Sequence, residues 1–188
     1  MRKNPLSLFC SGLMLLALPA FAATNNTPVN SNTASLLNKA SQINQSEEDM
    51  ADMLNNKAAN NLAMSTLATT LKDDHEANQS AVKSLANEAN ITLKSYEPNQ
   101  ALKNKLDNLN GTAFNKAFLD HELADHREAL RTFEDARNQT DNRDMKLYID
   151  ETIPVLKSHL EMIENVRRDL ASSKTANGAG ENRQTSSR

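Results

Sequence analysis

The sequence predicts an all-α protein, an antiparallel bundle of four long helices. Apolar residues recur at spacings of three and four through four separate segments, the pattern of a helix that buries one stripe. The composition agrees, being rich in Ala, Leu, Lys, Glu and Asn, without tryptophan and with few β-branched aliphatic residues. Two of the three links between segments are short, so the segments they join must fold back on one another.

The first segment runs from about Thr33 to Ala59, its face marked by Leu37, Ala40, Met50, Leu54 and Ala58, and it stops at Asn60-Asn61. The second follows at once, from about Leu62 to Asn90, through Met64, Leu67, Leu71, Val82 and Leu85. The third opens after Asn110-Gly111-Thr112, a capping sequence, and continues to about Asn138 through Phe114, Phe118, Leu123, Leu130 and Phe133. The fourth starts near Asp141 and reaches about Ala171 through Tyr148, Val155, Met162 and Val166, closing a second hairpin. Between the hairpins, a link of about 20 residues contains a short helix expected to begin at Pro98, a favoured first-turn residue. The main helices, each roughly 40 Å long at about 1.5 Å per residue, are short enough for this link to cross from end to end. Two hairpins and one long crossover give the ferritin-like topology.

The ends of the chain carry a different message. Residues 1–22 combine basic Arg2 and Lys3, an apolar run from Leu6 to Leu18, and the small-x-small site Ala20-Phe21-Ala22, which together predict a signal peptide cleaved after Ala22 and a periplasmic protein. Residues 23–32 and 172–188 are polar, lack apolar periodicity, and read as disordered tails flanking a bundle domain at 33–171. Cleavage removes the one cysteine, Cys10, so disulfides cannot hold the mature chain together. It also removes two of 21 basic residues, leaving 19 against 24 acidic ones, a balance that argues against nucleic acid or anionic lipid as partners. No later segment approaches the roughly 20 apolar residues of a transmembrane span. A protein partner in the envelope is compatible with these features, and the oligomeric state is left open.

All four histidines fall in the helical segments. His75, His126 and His159 lie on the apolar stripes, each near the midpoint of its helix, and the midpoint of the first helix falls at Ser46 to Glu48. Midpoints of equal antiparallel helices share one layer. The prediction is therefore three imidazoles and a carboxylate, Glu48 or Glu47, in the middle of the core. Each unmet buried polar group costs about 1–3 kcal/mol, so these side chains require either a bound metal or a complete hydrogen-bond network. Neutral imidazoles with one carboxylate suit a single transition-metal ion such as zinc, copper or iron. Asp74 and Asp125, each directly before a histidine, point about 100° away and can support histidines only on neighbouring helices. His121 belongs to another edge of its helix, near the surface or the crossover. Pro154, inside the fourth helix, frees the Asp150 carbonyl and predicts a bend one turn before His159.

The strings TLKDDHEAN (70–78), LNGTAFNKAFLDHELADHREAL (109–130) and TIPVLKSHLEM (152–162) resemble the bacterial domain of unknown function four-one-four-two family. The resemblance covers about residues 33–170 and marks Glu48, His75, Gly111, Phe114, Phe118, His126, Pro154 and His159. It implies a ferritin-like bundle and supplies no activity. The outer-membrane label often attached to that family finds no support here, because the chain has neither a barrel's alternating strands nor a lipid anchor. A di-iron carboxylate site would need Glu three residues before a histidine on two helices, whereas Lys72, Leu123 and Leu156 stand before His75, His126 and His159. The sequence therefore favours a non-enzymatic metal-binding or metal-sensing bundle using His75, His126, His159 and Glu48. The alternatives are an envelope interaction or stress protein with a purely structural polar core, and, third, a metalloenzyme using the same histidines.

Overall fold

A computed structural model describes residues 31–58 and 60–184, with side chains to residue 172. Its described residues form five helices and no strand: α1 (Ser31–Ala58), α2 (Leu62–Glu88), the short α3 (Gln100–Asp107), α4 (Gly111–Gln139) and α5 (Arg143–Gln184). The expected signal peptide, residues 1–22, lies outside the described residues, as does most of the segment 23–32. No helix among the described residues is long and apolar enough to cross a membrane.

The four long helices pack as a bundle in which α1 contacts α2 and α4, and α5 contacts α4 and α2. Side-chain pairs fix the directions. Asp52 meets Lys72 while Asn44 meets Gln79, so α1 and α2 run opposite ways. Asp120–Arg167, Arg127–Glu164 and Glu134–Lys157 give the same result for α4 and α5. Asn61 caps α2 by accepting a hydrogen bond from the Met64 amide at 3.2 Å. Asn61→Ala is expected to cost about 1 kcal/mol, read as a lower urea midpoint with an unchanged m-value.

The crossover lies along α1 from one end of the bundle to the other. Asn38 accepts from the Lys94 amide and Gln42 donates to the Lys94 and Ser95 carbonyls. Further on, Tyr96 and Lys103 both donate to Asp49, and Lys57 donates to the carbonyls of Leu106 and Asp107. Leu106, near the end of the crossover, is buried against the core.

The helix bounds depart from expectation where local chemistry competes with periodicity. α1 is helical from Ser31, the first described residue, two before Thr33. α3 begins at Gln100, because Asn99 is its cap, accepting from the Leu102 amide, and Pro98 precedes that cap. Asn110 precedes α4 in extended conformation without a side-chain capping bond, and Gly111 enters the helix at φ +53°, a left-handed value that disfavours any residue with a Cβ. α5 contains Pro154 and continues in backbone to Gln184, past Ala171, where the apolar spacing ends and the sequence places a tail. Periodicity marks where a helix has something to bury, not where its hydrogen bonds stop. On α5 the buried stripe is Ile149, Thr152, Leu156, His159, Ile163 and Val166, displaced from the expected Val155 and Met162. Both sets flank His159 at spacings of three and four, so the spacing alone does not choose between them.

The core is divided in two. One apolar cluster gathers around Leu54, Leu71, Phe114, Phe118 and Ile163, and the other around Leu37, Val82, Phe133, Tyr148 and Ile149. Between them lies a buried polar layer that includes Asn44, Glu47, His75, Gln79, Glu122, His126 and His159.

Candidate metal centre

The bundle brings the three histidines together. His75 on α2, His126 on α4 and His159 on α5 are each at most 4% exposed, and their ring centroids stand 5.2–5.6 Å apart. One potential ligand atom from each lies within 4.8 Å of those of the other two.

Hydrogen bonds at the periphery decide which nitrogens face inward. The Asn44 Nδ2 group donates to Asn78 Oδ1 at 2.9 Å, which leaves Asn44 Oδ1 to accept from His75 Nδ1 at 3.0 Å. Asn78 is oriented in turn: its Oδ1 accepts from the Tyr148 hydroxyl and its Nδ2 donates to Thr152, whose hydroxyl donates to the Tyr148 carbonyl. His126 Nδ1 donates to the Glu122 carbonyl at 3.0 Å, and His159 Nε2 donates to Asp74 Oδ2 at 2.9 Å. Each ring has thus committed one N–H outward, so that in a neutral ring the other nitrogen carries a lone pair. Those nitrogens are His75 Nε2, which has no hydrogen-bond partner among the described residues, and His126 Nε2 and His159 Nδ1, 3.2 Å apart. With both outer protons in place, the last two nitrogens cannot hydrogen-bond to each other without an added proton. In neutral rings these three nitrogens all offer lone pairs within one cluster.

A metal fits this arrangement. Imidazole nitrogens about 2.0–2.1 Å from a tetrahedral ion lie about 3.3 Å from one another, close to the His126–His159 separation. An acceptor on the far nitrogen of each ring also fixes the ring's orientation and tautomer.

The carboxylate is Glu47. It is buried, whereas Glu48 sits half-buried on the flank of α1, its carboxyl raised first by burial and then by the charge of Glu76. The α1 seam steps through Leu37, Ala40, Asn44, Glu47, Ala51, Leu54 and Ala58, all buried, and Glu48 lies one residue, about 100°, off it. That spacing is readable in the sequence once small and polar residues are counted as core. Glu122, fully buried four residues after Phe118 and four before His126, follows the same logic and was not anticipated. Asp74 does support a histidine on a neighbouring helix, as expected, but Asp125 instead pairs with His121 on its own helix at 3.4 Å. His121 is partly buried and outside the cluster.

Burial disfavours the charged form of His75 and of His126. His75 is pushed down to about 3, chiefly by desolvation, with Glu47 opposing and His159 and His126 assisting; His126 is lowered for the same leading reason. A histidine whose folded value lies below its unfolded value of about 6.5 favours folding fully above pH 6.5 and loses that contribution as pH falls toward the folded value. Metal-free protein is therefore expected to lose about 1.4 kcal/mol per pH unit for His75 between about pH 6 and 4, with His126 adding in the same sense. Stability curves of wild type and His75→Gln across that range check this, the variant showing the shallower slope.

Comparisons place the fold among known proteins. The model of a domain of unknown function, DUF4142, matches residues 18–166. The chain belongs to this family. Comparison with the curated proteins gives no match. Among solved structures, CopM in its Cu(I)-bound form is similar with a TM-score of 0.62 at 16% identity, covering 73% of this chain and 96% of that one. The apo form gives 0.61 and the Ag-bound form 0.60, both at 17% identity with the same coverage. At that identity the likeness is one of fold, and it makes this DUF4142 chain an all-helical protein of CopM-like shape.

Proposed function

We propose that this DUF4142 protein is an exported, ferritin-like antiparallel bundle that binds a transition-metal ion through His75 Nε2, His126 Nε2 and His159 Nδ1. The observation that carries the proposal is the convergence of three lone pairs whose opposite ring nitrogens are all tied to acceptors. Glu47, not Glu48, supplies the buried negative charge beside the imidazoles. Neutral imidazoles without thiolate suit copper or zinc. Copper is the first candidate, because the similar CopM structures are described as Cu(I)-bound, Cu(II)-bound and Ag-bound. With no arrangement of nucleophile and base recognisable in the sequence, binding or sensing is favoured over catalysis.

The test is metal analysis of protein purified from the periplasm after expression with its own leader. Wild type is expected to carry stoichiometric metal and the H75A/H126A/H159A variant none. Protein that reaches the periplasm folded but takes up no copper or zinc would leave the polar layer a packing device.

A further inference from the structure

His75 is held in a way that the other two imidazoles are not. His126 Nδ1 donates to a backbone carbonyl and His159 Nε2 to the Asp74 carboxylate, groups with only oxygen to offer. His75 Nδ1 faces the side-chain amide of Asn44, which presents an acceptor oxygen in one orientation and a donor NH2 in the other. With the NH2 turned toward it, a neutral His75 would accept at Nδ1 and carry its proton on Nε2, aimed into the cluster. Whatever fixes the Asn44 amide therefore decides whether His75 offers a lone pair to an ion.

The fixing traces back to α5. The Tyr148 carbonyl can only accept, so the Thr152 hydroxyl, 2.8 Å away, gives its proton to that oxygen. The Thr152 oxygen is left to accept, and Asn78 turns its Nδ2 toward it at 3.1 Å. That places Asn78 Oδ1 against the Tyr148 hydroxyl and against Asn44 Nδ2, each at 2.9 Å. Burial pushes the Tyr148 phenol well above its ordinary value, with its bonds to Thr152 and Asn78 opposing, so this hydroxyl keeps its proton and needs an acceptor. Gln79 acts in the same sense: its Oε1 lies 3.4 Å from Asn44 Nδ2 while its Nε2 donates to Ser41. Turning Asn44 alone would bring two amide oxygens together. Tyr148, Thr152 and Asn44 are all buried, so solvent does not replace the partners they would lose.

We propose that Tyr148 and Thr152 are positioning residues for metal binding, their hydroxyls setting the inward lone pair of His75 through the amides of Asn78 and Asn44. The consequence for metal rests on the proposed function; the choice of tautomer does not. Without the two hydroxyls Asn78 is free to turn and Asn44 to follow, so part of the population carries the His75 proton on Nε2. Only the remaining fraction is competent to bind, and the apparent dissociation constant rises in inverse proportion to it.

The test uses the full chain without its leader, metal-free and isotope-labelled at histidine, with nitrogen NMR near neutral pH reading which ring nitrogen carries the proton. Wild type is expected to show a protonated Nδ1 and a bare Nε2 at His75. Y148F/T152V is expected to shift His75 toward the opposite tautomer, to leave His126 and His159 unchanged, and to bind copper about tenfold more weakly. Y148F/T152S restores one hydroxyl and is expected to recover most of both losses. If the double variant does not fold, T152V is compared with T152S in the same way. A folded Y148F/T152V that keeps the wild-type tautomer at His75 overturns the inference, as does a shifted tautomer with undiminished copper affinity. A tautomer shift in protein that takes up no copper even as wild type overturns the proposed function and leaves the control of His75 standing.

Discussion

Adding copper to metal-free protein at about 100 times its dissociation constant is expected to raise folding stability by about 2.7 kcal/mol. For a domain of this size that corresponds to a rise in Tm of about 5–10 °C. The effect follows from geometry, because a ligand atom from each of the three histidines is brought within 4.8 Å of the others from α2, α4 and α5 only when those helices are packed. An unfolded chain holds no such site, so binding free energy appears as folding free energy. H75Q/H159Q keeps side-chain volume while removing two of the three nitrogens, and its Tm should not respond to copper. A variant that still gains several degrees would locate the ion elsewhere.

Asp74→Asn is expected to weaken copper binding 10- to 100-fold while leaving the fold intact. Asp74 is about half-exposed and makes its hydrogen bond to His159 from the edge of the layer, so replacing it empties no core space. What the carboxylate does is accept the His159 Nε2 proton, which keeps Nδ1 free to face His75 and His126. An amide in its place can turn its NH2 toward the ring and hold the opposite tautomer. Calorimetric titration reads the affinity, and an unchanged urea midpoint separates this from damage to the bundle. The contrast with the triple-alanine variant is useful, since Asp74→Asn keeps all three imidazoles and alters only how one is held.

The four long helices and the meeting of His75, His126 and His159 were legible because both depend on the same periodicity. Three- and four-residue spacing finds the buried stripe, and placing midpoints at one level finds which stripe residues meet. Periodicity failed where residues that bury well are not obviously apolar. Asn44, Glu47 and Glu122 all lie in register with their apolar neighbours, yet a reading that admits only hydrophobic residues to the core passes over them. The choice between Glu47 and Glu48 needed the phase of the whole α1 seam, which runs through Ala40, Asn44 and Ala51 and not only through its large residues. On α5 the phase stayed ambiguous in sequence because Val155 and Met162 bracket His159 much as Leu156 and Ile163 do. The orienting network of Asn44, Asn78, Thr152 and Tyr148 depends on side-chain directions across α1, α2 and α5, which no single helix's sequence encodes. Sequence spacing thus finds the three histidines that meet, and packing shows the hydrogen bonds that orient them.

The central claim is that three imidazoles with outward-tied protons turn their remaining nitrogens on one ion. X-ray absorption on protein loaded with one equivalent of copper reads this most directly, because outer-ring scattering counts imidazole ligands. Three imidazoles on the ion in wild type, with that signature lost in H75Q/H159Q, is the predicted result. A coordination shell of oxygens with one imidazole or none, unchanged between wild type and variant, would contradict it.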